Sequence, residues 1–296
     1  MEKAVALDSL RITVLAEDSV LYESPYLGQH GISFLLEGVS GRSTKRALVD
    51  VGQNCEALLY NMRTMGISPS VIDAIVLTHC HYDHTQGIAR LLREIGREDI
   101  QVIAHPSIFR PHFVTEPHRR DVGIRPGDSK VEIEKAGGRL SLTSESFVIM
   151  PGIMTTGEVK RRTEFEEVTV AVKTIENGMV VDDPMLDDIS VVANVRDKGL
   201  VVITGCSHAG IINIVRQAID ISGCNILEGI IGGLHLIDAA DTVIGRTVDE
   251  LFRLNVSWIS AGHCTGFKAQ VELYRAFGDR FSPLHTGMRF ELGVSI

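Results

Sequence analysis

The chain has 296 residues, 44% of them apolar and only 5% aromatic, with a formal net charge of −9. The length exceeds the usual single-domain size, but an α/β fold of this length can form one unit, and a core mainly of Val, Ile, Leu and Ala suits buried sheet covered by helices. The negative charge argues against a nucleic-acid surface, which needs a clustered positive field, and no run approaches the roughly 20 apolar residues of a membrane helix.

Strand patterns open the chain at 11–15, 32–36 and 46–51, separated by turn signals at Gly38 and Gly41. A helical pattern follows over 55–65, with Leu58, Leu59 and Met62 on one face and Gly66 as its stop. A strand at 74–77, a helix at 88–95 and a strand at 100–104 come next. The segment 107–137 is rich in proline and weak in periodicity, which predicts a lid or insertion. The second half predicts strands at 146–150, 168–172, 189–195, 199–204, 229–231 and 256–260, a last strand-like run at 288–292, and helices at 209–221, 242–254 and 268–277. No low-complexity linker separates the halves, so 1–296 reads as one domain of two similar halves, about 1–150 and 151–296. Five cysteines with no Cys-x-x-Cys, and no signal peptide after Met1, predict a cytoplasmic protein with reduced thiols.

The chemistry concentrates after strand 74–77. Thr78-His79-Cys80-His81-Tyr82-Asp83-His84 packs three imidazoles and a carboxylate, the ligands of borderline divalent metals, into a few residues at a strand end. Three further apolar strands each lead through glycine to histidine: Gly205-Cys206-Ser207-His208, Gly232-Gly233-Leu234-His235 and Gly262-His263-Cys264. Glycine allows the sharp turn and close backbone approach that such a site needs. His30 and His105 lie beside strands and are candidates to orient ligands through ring hydrogen bonds. His112, His118 and His285 have no such context. Cys80 is expected to point away from its two flanking histidines and to pack. Arg110, Arg125, Arg161 and Arg162 are candidates to bind the phosphate or carboxylate of a small anionic substrate.

His79-x-His81-x-Asp83-His84 after a strand resembles the signature of the metallo-β-lactamase superfamily, and the later Gly-Cys-Ser-His and Gly-His motifs follow in that superfamily's order. Gly-Cys-Ser-His-Ala-Gly with Gly-His-Cys-Thr-Gly resembles the branch named for the archaeal dihydropterin–ribofuranosylaminobenzene phosphate synthase. The resemblance implies an α/β fold of four layers, an αβ/βα sandwich of two mixed sheets face to face with helices outside. It implies a site for one or two divalent ions, zinc first, with iron or manganese as alternatives. His79 and His81 would hold one ion; Asp83, His84 and His263 would hold the other. The sequence departs from the superfamily pattern twice. Ile153 stands where most hydrolytic members have a loop histidine, and Cys206 stands where many have a bridging aspartate. His208 is the substitute ligand, with Cys206 beside the ligands. Asp83 and His235 are the catalytic candidates, Asp83 orienting a nucleophile and His235 binding an oxyanion or ligating.

The leading expectation is hydrolysis of an ester or phosphoester bond in a small anionic substrate, with metal-bound hydroxide as nucleophile. The branch resemblance allows a transferase, in which an aryl carbon displaces the diphosphate of an activated pterin. A ligand-binding or sensor protein with a weakened metal site is the third reading.

Overall fold

The computed structural model describes residues 5–166 and 171–293. The first half contains β1 (Ser9–Ala16), β2 (Ser33–Ser40), β3 (Ser43–Val49), α1 (Cys55–Thr64), β4 (Ala74–Val76), α2 (Tyr82–Thr85), α3 (Ile88–Ile95), β5 (Ile100–Ala104), β6 (Phe113–Val114), β7 (Arg120–Asp121), α4 (Lys130–Lys135), β8 (Gly138–Leu142) and β9 (Val148–Met150). The second half contains β10 (Ile153–Thr155), β11 (Val172–Glu176), β12 (Met179–Asp182), β13 (Val191–Val195), β14 (Gly199–Thr204), α5 (Ile211–Ser222), β15 (Leu227–Gly233), α6 (Asp241–Arg253), β16 (Trp258–Gly262), α7 (Phe267–Phe277), β17 (Phe281–Pro283) and β18 (Arg289–Gly293). Local signals set the helix ends. Asn54 caps α1 by accepting from the Glu56 and Ala57 amides, and Gly96 closes α3 in the left-handed conformation.

Two seven-stranded sheets form, in the orders β18-β1-β2-β3-β4-β5-β8 and β17-β16-β15-β14-β13-β10-β9. Three apolar clusters fill three spaces between layers. Between the sheets, Ile12, Val14, Phe34 and Val76 meet Val191, Ala193, Val201 and Ile203. Outside the first sheet, Leu48, Ile75 and Val102 pack on Leu58, Met62, Leu91 and Leu92 of α1 and α3. Outside the second sheet, Val202, Ile230 and Ile259 pack on Ile214, Val248 and Leu273 of α5, α6 and α7. This is the four-layer αβ/βα sandwich. It forms because each strand's alternating side chains face two different apolar layers.

The segment 107–137 holds more structure than its composition suggests. Strands β6 and β7 join β11 and β12 in a small third sheet of order β12-β11-β6-β7, while α4 adds Ile133 to the cluster outside the first sheet. The strand expected at 168–172 falls mostly outside the described residues; Val172 begins β11. Strands β8, β10, β12 and β17 lacked a sequence signal strong enough to assign; β10 and β17 are three residues long. No helix among the described residues is long and apolar enough to cross a membrane.

Candidate metal centre

Strands β3, β4, β5 and β8 run parallel in one sheet, and β14, β15, β16 and β17 run parallel in the other. Parallel strands deliver their carboxyl ends to one rim, where α/β folds build their sites. Asp50 follows β3, the His79–His84 loop follows β4, and His208, His235 and His263 follow β14, β15 and β16. Residues far apart in the chain thus meet at one edge of the sandwich.

One donor set gathers His79, His81 and His208. The Thr78 hydroxyl donates to Asp50 Oδ2 (2.7 Å) and lies 3.0 Å from His79 Nδ1. It therefore accepts the Nδ1 proton, which leaves a lone pair on His79 Nε2. That atom lies 3.1 Å from His81 Nδ1. The His208 ring stands 4.9 Å from His79 and 4.8 Å from His81, centroid to centroid. Both ring nitrogens of His208 are buried with no hydrogen-bond partner among the described residues. Two unpartnered polar atoms on one buried ring are a rare and costly arrangement. Burial pushes the pKa of His79, His81 and His208 well below the ordinary imidazole value, so all three are neutral.

A second set gathers Asp83, His84 and His263. His84 Nδ1 donates to Asp50 Oδ2 (2.7 Å) and His263 Nδ1 to Asp18 Oδ1 (3.1 Å). Each ring therefore turns Nε2 inward. The inward atoms lie 3.3 Å apart, and Asp83 Oδ2 sits 3.5 Å from His84 Nε2 and 3.3 Å from His263 Nε2. Three ligands of one tetrahedral zinc, at bonds of about 2.0–2.1 Å, are separated by about 3.3 Å. The donors present therefore fit a divalent cation. Burial raises the Asp83 carboxyl, but His84, His263 and His81 outweigh it and hold the group well below the carboxylate range. Burial lowers His263, but Cys264, Asp18 and Asp83 outweigh it and raise that imidazole well above its ordinary value.

Cys206 lies between the sets. Its sulfur is within 4.8 Å of donors on His79 and His208, and equally of donors on His84 and His263. Burial, and Cys264 beside it, push this thiol's pKa well up. The backbone around the donors is strained: Asp50, Ser207, His235 and His263 all have positive φ, at 57°, 66°, 46° and 49°. Glycine is required at 205, where a Cβ would stand 2.2 Å from Thr78 Oγ1.

A family model described as the beta-lactamase superfamily domain matches residues 46–174. The chain is 43% identical over 284 residues to the 7,8-dihydropterin-6-methyl-4-(β-D-ribofuranosyl)-aminobenzene-5′-phosphate synthase of Methanocaldococcus jannaschii, covering 95% of this chain and 96% of that protein. The chain belongs to the metallo-β-lactamase superfamily. An uncharacterized protein of the same organism is 35% identical over 256 residues, covering 86% of this chain and 91% of that one. A solved metal-dependent hydrolase of the beta-lactamase superfamily shares the fold with a TM-score of 0.80 at 24% identity, covering 96% of this chain and all of that one.

The two departures from the superfamily pattern have structural counterparts. Ile153, in β10, is buried in the core between the sheets and does not face the centre. Its place beside His79 and His81 goes to His208, from the end of β14. His235 packs against His208 with ring centroids 4.1 Å apart. Burial lowers its pKa, but contact with Cys264 outweighs that and the net shift is upward. His30, half-exposed, places Nε2 3.4 Å from Asp83 and Nδ1 3.4 Å from Asp18. His105 is elsewhere: its ring caps the Ser107 amide and faces Glu158. Cys80 is fully buried in the apolar cluster outside the first sheet.

The arginines divide. Arg125 stacks 4.4 Å over the ring of Tyr82, inside the metal loop, and donates to the Asp121 carbonyl. Arg110 is committed to buried Asp183 and Asp187. Arg161 donates to the carbonyls of His208, Pro184 and Met185, and Arg162 pairs with Asp220 on α5. Four residues of the centre went unrecognised in the sequence. Asp50 and Asp18 hold His84 and His263, and His112 and Asp183 stand behind His81. For Asp50 a signal existed, a charged residue ending an apolar strand.

Proposed function

We propose that this chain is a metal-dependent synthase that joins a dihydropterin to a ribofuranosyl-aminobenzene phosphate, with pterin diphosphate as the activated partner. The observation that carries the reading is the match to the Methanocaldococcus synthase, which spans nearly all of both chains. His79, His81 and His208 would hold one divalent ion and Asp83, His84 and His263 a second, zinc first, with iron or manganese as alternatives. Cys206 would sit between them. Such cations supply fixed positive charge where a diphosphate binds and departs.

The chain's own groups account for the rest. The amine nitrogen of the aminobenzene, with its lone pair, is a better nucleophile than the aryl carbon expected from the sequence. Its bond to the pterin methyl carbon forms as the carbon–oxygen bond breaks, and the diphosphate leaves with the electron pair. His235 takes the amine proton. Asp83, which would also ligate, orients the reacting groups. Arg125, with no carboxylate partner among the described residues, binds a substrate phosphate. The segment 107–137 packs on the metal loop: its Val122 carbonyl accepts from the Tyr82 amide (3.0 Å), and it carries Arg125.

A second reading, hydrolysis of an ester or phosphoester in a small anionic substrate, draws on two adjacent three-donor sets, the arrangement two-metal hydrolysis uses. One experiment separates them. The zinc-loaded protein is incubated with dihydropterin diphosphate and the aminobenzene phosphate, together and singly. Pyrophosphate plus a joined product, seen only with both, is the result expected. Phosphate or pyrophosphate released from either compound alone would move the assignment to a hydrolase. No turnover would leave a binding protein.

A further inference from the structure

We infer that His112 and Asp183 are positioning residues for His81, forming a carboxylate–imidazole–imidazole chain that selects which nitrogen of His81 faces the metal centre. This rests on the reading of His81 as a ligand. His112 Nδ1 lies 2.7 Å from Asp183 Oδ2, and its Nε2 lies 2.8 Å from His81 Nε2. Arg110 forks onto Asp183 through Nε (2.6 Å) and Nη2 (2.9 Å), and the Met185 amide adds a third donor. Asp183 is therefore an acceptor only, and His112 Nδ1 must carry the proton. The Nδ1–H tautomer of His112 offers its lone pair at Nε2. His81 answers it with Nε2–H and is left with its lone pair on Nδ1, the atom 3.1 Å from His79 Nε2. Without this chain His81 could take either tautomer, and one of them presents N–H where a donor is needed.

The chain is built on the small third sheet. His112 immediately precedes β6 and Asp183 immediately follows β12. Thr174 of β11 donates to the Pro111 carbonyl (2.8 Å). The Val122 and Gly123 amides donate to the His112 carbonyl, and the Asp183 amide to Val172. Arg110 also reaches Asp187 Oδ1 (2.8 Å), whose other oxygen accepts from the Cys80 amide (2.8 Å), between His79 and His81. One excursion from each half of the chain thus meets in this sheet and grips the metal loop from behind. Arg110, expected from the sequence to bind substrate, is the outer anchor of this grip.

The test uses the full chain with nitrogen-15 in its histidines. In the cation-free protein, ring-nitrogen shifts should show His81 protonated at Nε2 and hydrogen-bonded to His112. H112A should turn that signal into a tautomer mixture and lower zinc affinity by ~10–100-fold, measured by chelator competition. H112Q, whose carbonyl oxygen can accept from His81 Nε2–H, should recover most of the affinity. A thermal melt of each variant checks folding. His81 protonated at Nδ1 in the unaltered protein would overturn the inference, as would H112A with unchanged affinity and unchanged His81 signals. An unaltered protein that binds no zinc would instead overturn the proposed metal function, while the His81 shifts would still decide this chain.

Discussion

Asp50 is the point at which one atom controls both donor sets. Its Oδ2 accepts from the Thr78 hydroxyl and from His84 Nδ1, each at 2.7 Å, and its Oδ1 accepts from the Thr78 amide at 2.8 Å. D50N replaces one oxygen by an NH2 group in a site with no exposed surface. If the NH2 faces Thr78 and His84, the polarity of both branches inverts. Thr78 must accept from the amide and donate to His79 Nδ1, which moves that ring's proton to Nε2. His84 must accept at Nδ1, which protonates its Nε2. Both inward nitrogens then lose their lone pairs, one in each set. By the usual effect of such partners, zinc affinity falls ~10–100-fold, about 1.4–2.7 kcal/mol. If the amide flips, its NH2 meets the Thr78 N–H, and a buried clash of two donors costs about 1–3 kcal/mol of stability. Cavity formation is not a competing cause, since the two side chains have nearly the same shape. Titration against a chromophoric chelator gives the affinities, and urea unfolding of the cation-free protein gives the stability. Affinity and stability that both stay at the levels of the unaltered protein would refute the assigned proton positions.

Proton linkage separates the two sets. A cation entering the Asp83–His84–His263 set must displace the His263 proton, so its affinity should fall about tenfold per pH unit below the raised His263 pKa and level off above it. The His79–His81–His208 set, neutral throughout, should show no such slope over that window; equal slopes in calorimetric titrations at several pH values would contradict this. R125A should raise KM for the phosphorylated substrate by ~10-fold or more, from loss of a charge-assisted hydrogen bond of about 1.5–3 kcal/mol, with little change in kcat. R162A should change neither, because Arg162 is already paired with Asp220 on the surface; steady-state kinetics on both variants checks the pair. Burial raises the Glu17 carboxyl from 4.5 to about 7, against the Ser19 and His263 amides that lower it. The folded chain therefore holds that proton longer than the unfolded chain. The cation-free protein should lose about 3 kcal/mol from this group as pH rises from 4.5 to 7, and E17Q should flatten that part of the urea-unfolding profile.

What could be read from the sequence was what depends on local pattern. The strands at 100–104 and 199–204 and the helix at 88–95 form over the residues their periodicity assigns, because apolar spacing alone decides which faces are buried. The donor histidines were legible for the same reason: each follows an apolar strand and a turn, so topology carries it to the rim. His112 was not legible. It lies in a proline-rich stretch without periodicity, and its partner Asp183 is 71 residues away. Arg110 and Arg161 present the opposite case. Their charge was visible, but Asp183, which holds Arg110, and the Pro184 and Met185 carbonyls, which hold Arg161, come from an excursion of the second half that only the folded chain brings near.

Each donor set draws on both halves of the sandwich. His79 and His81 come from the end of β4, and His208 from the end of β14 in the opposing sheet. Asp83 and His84 come from the same first-half loop, and His263 from the end of β16. In both sets the third donor crosses from the opposing sheet, so a bound cation would fasten one sheet to the other at their common rim. The strained backbone at Asp50, Ser207, His235 and His263 belongs to this arrangement. Those residues turn sharply off their strands, which aims side chains across the gap between the sheets, and the apolar layer between the sheets holds the turns in place. The small third sheet adds a second fastening, since His112 and Asp183 reach His81 from elements contributed by each half. A substrate entering at this rim would meet donors whose protons are assigned by carboxylates on the far side: Asp50 for His84, Asp18 for His263 and Asp183, through His112, for His81. Three carboxylates from three separate segments each anchor the outer side of one ring and turn its other nitrogen inward, and that shared design is the strongest physical reason to read the rim as a cation site.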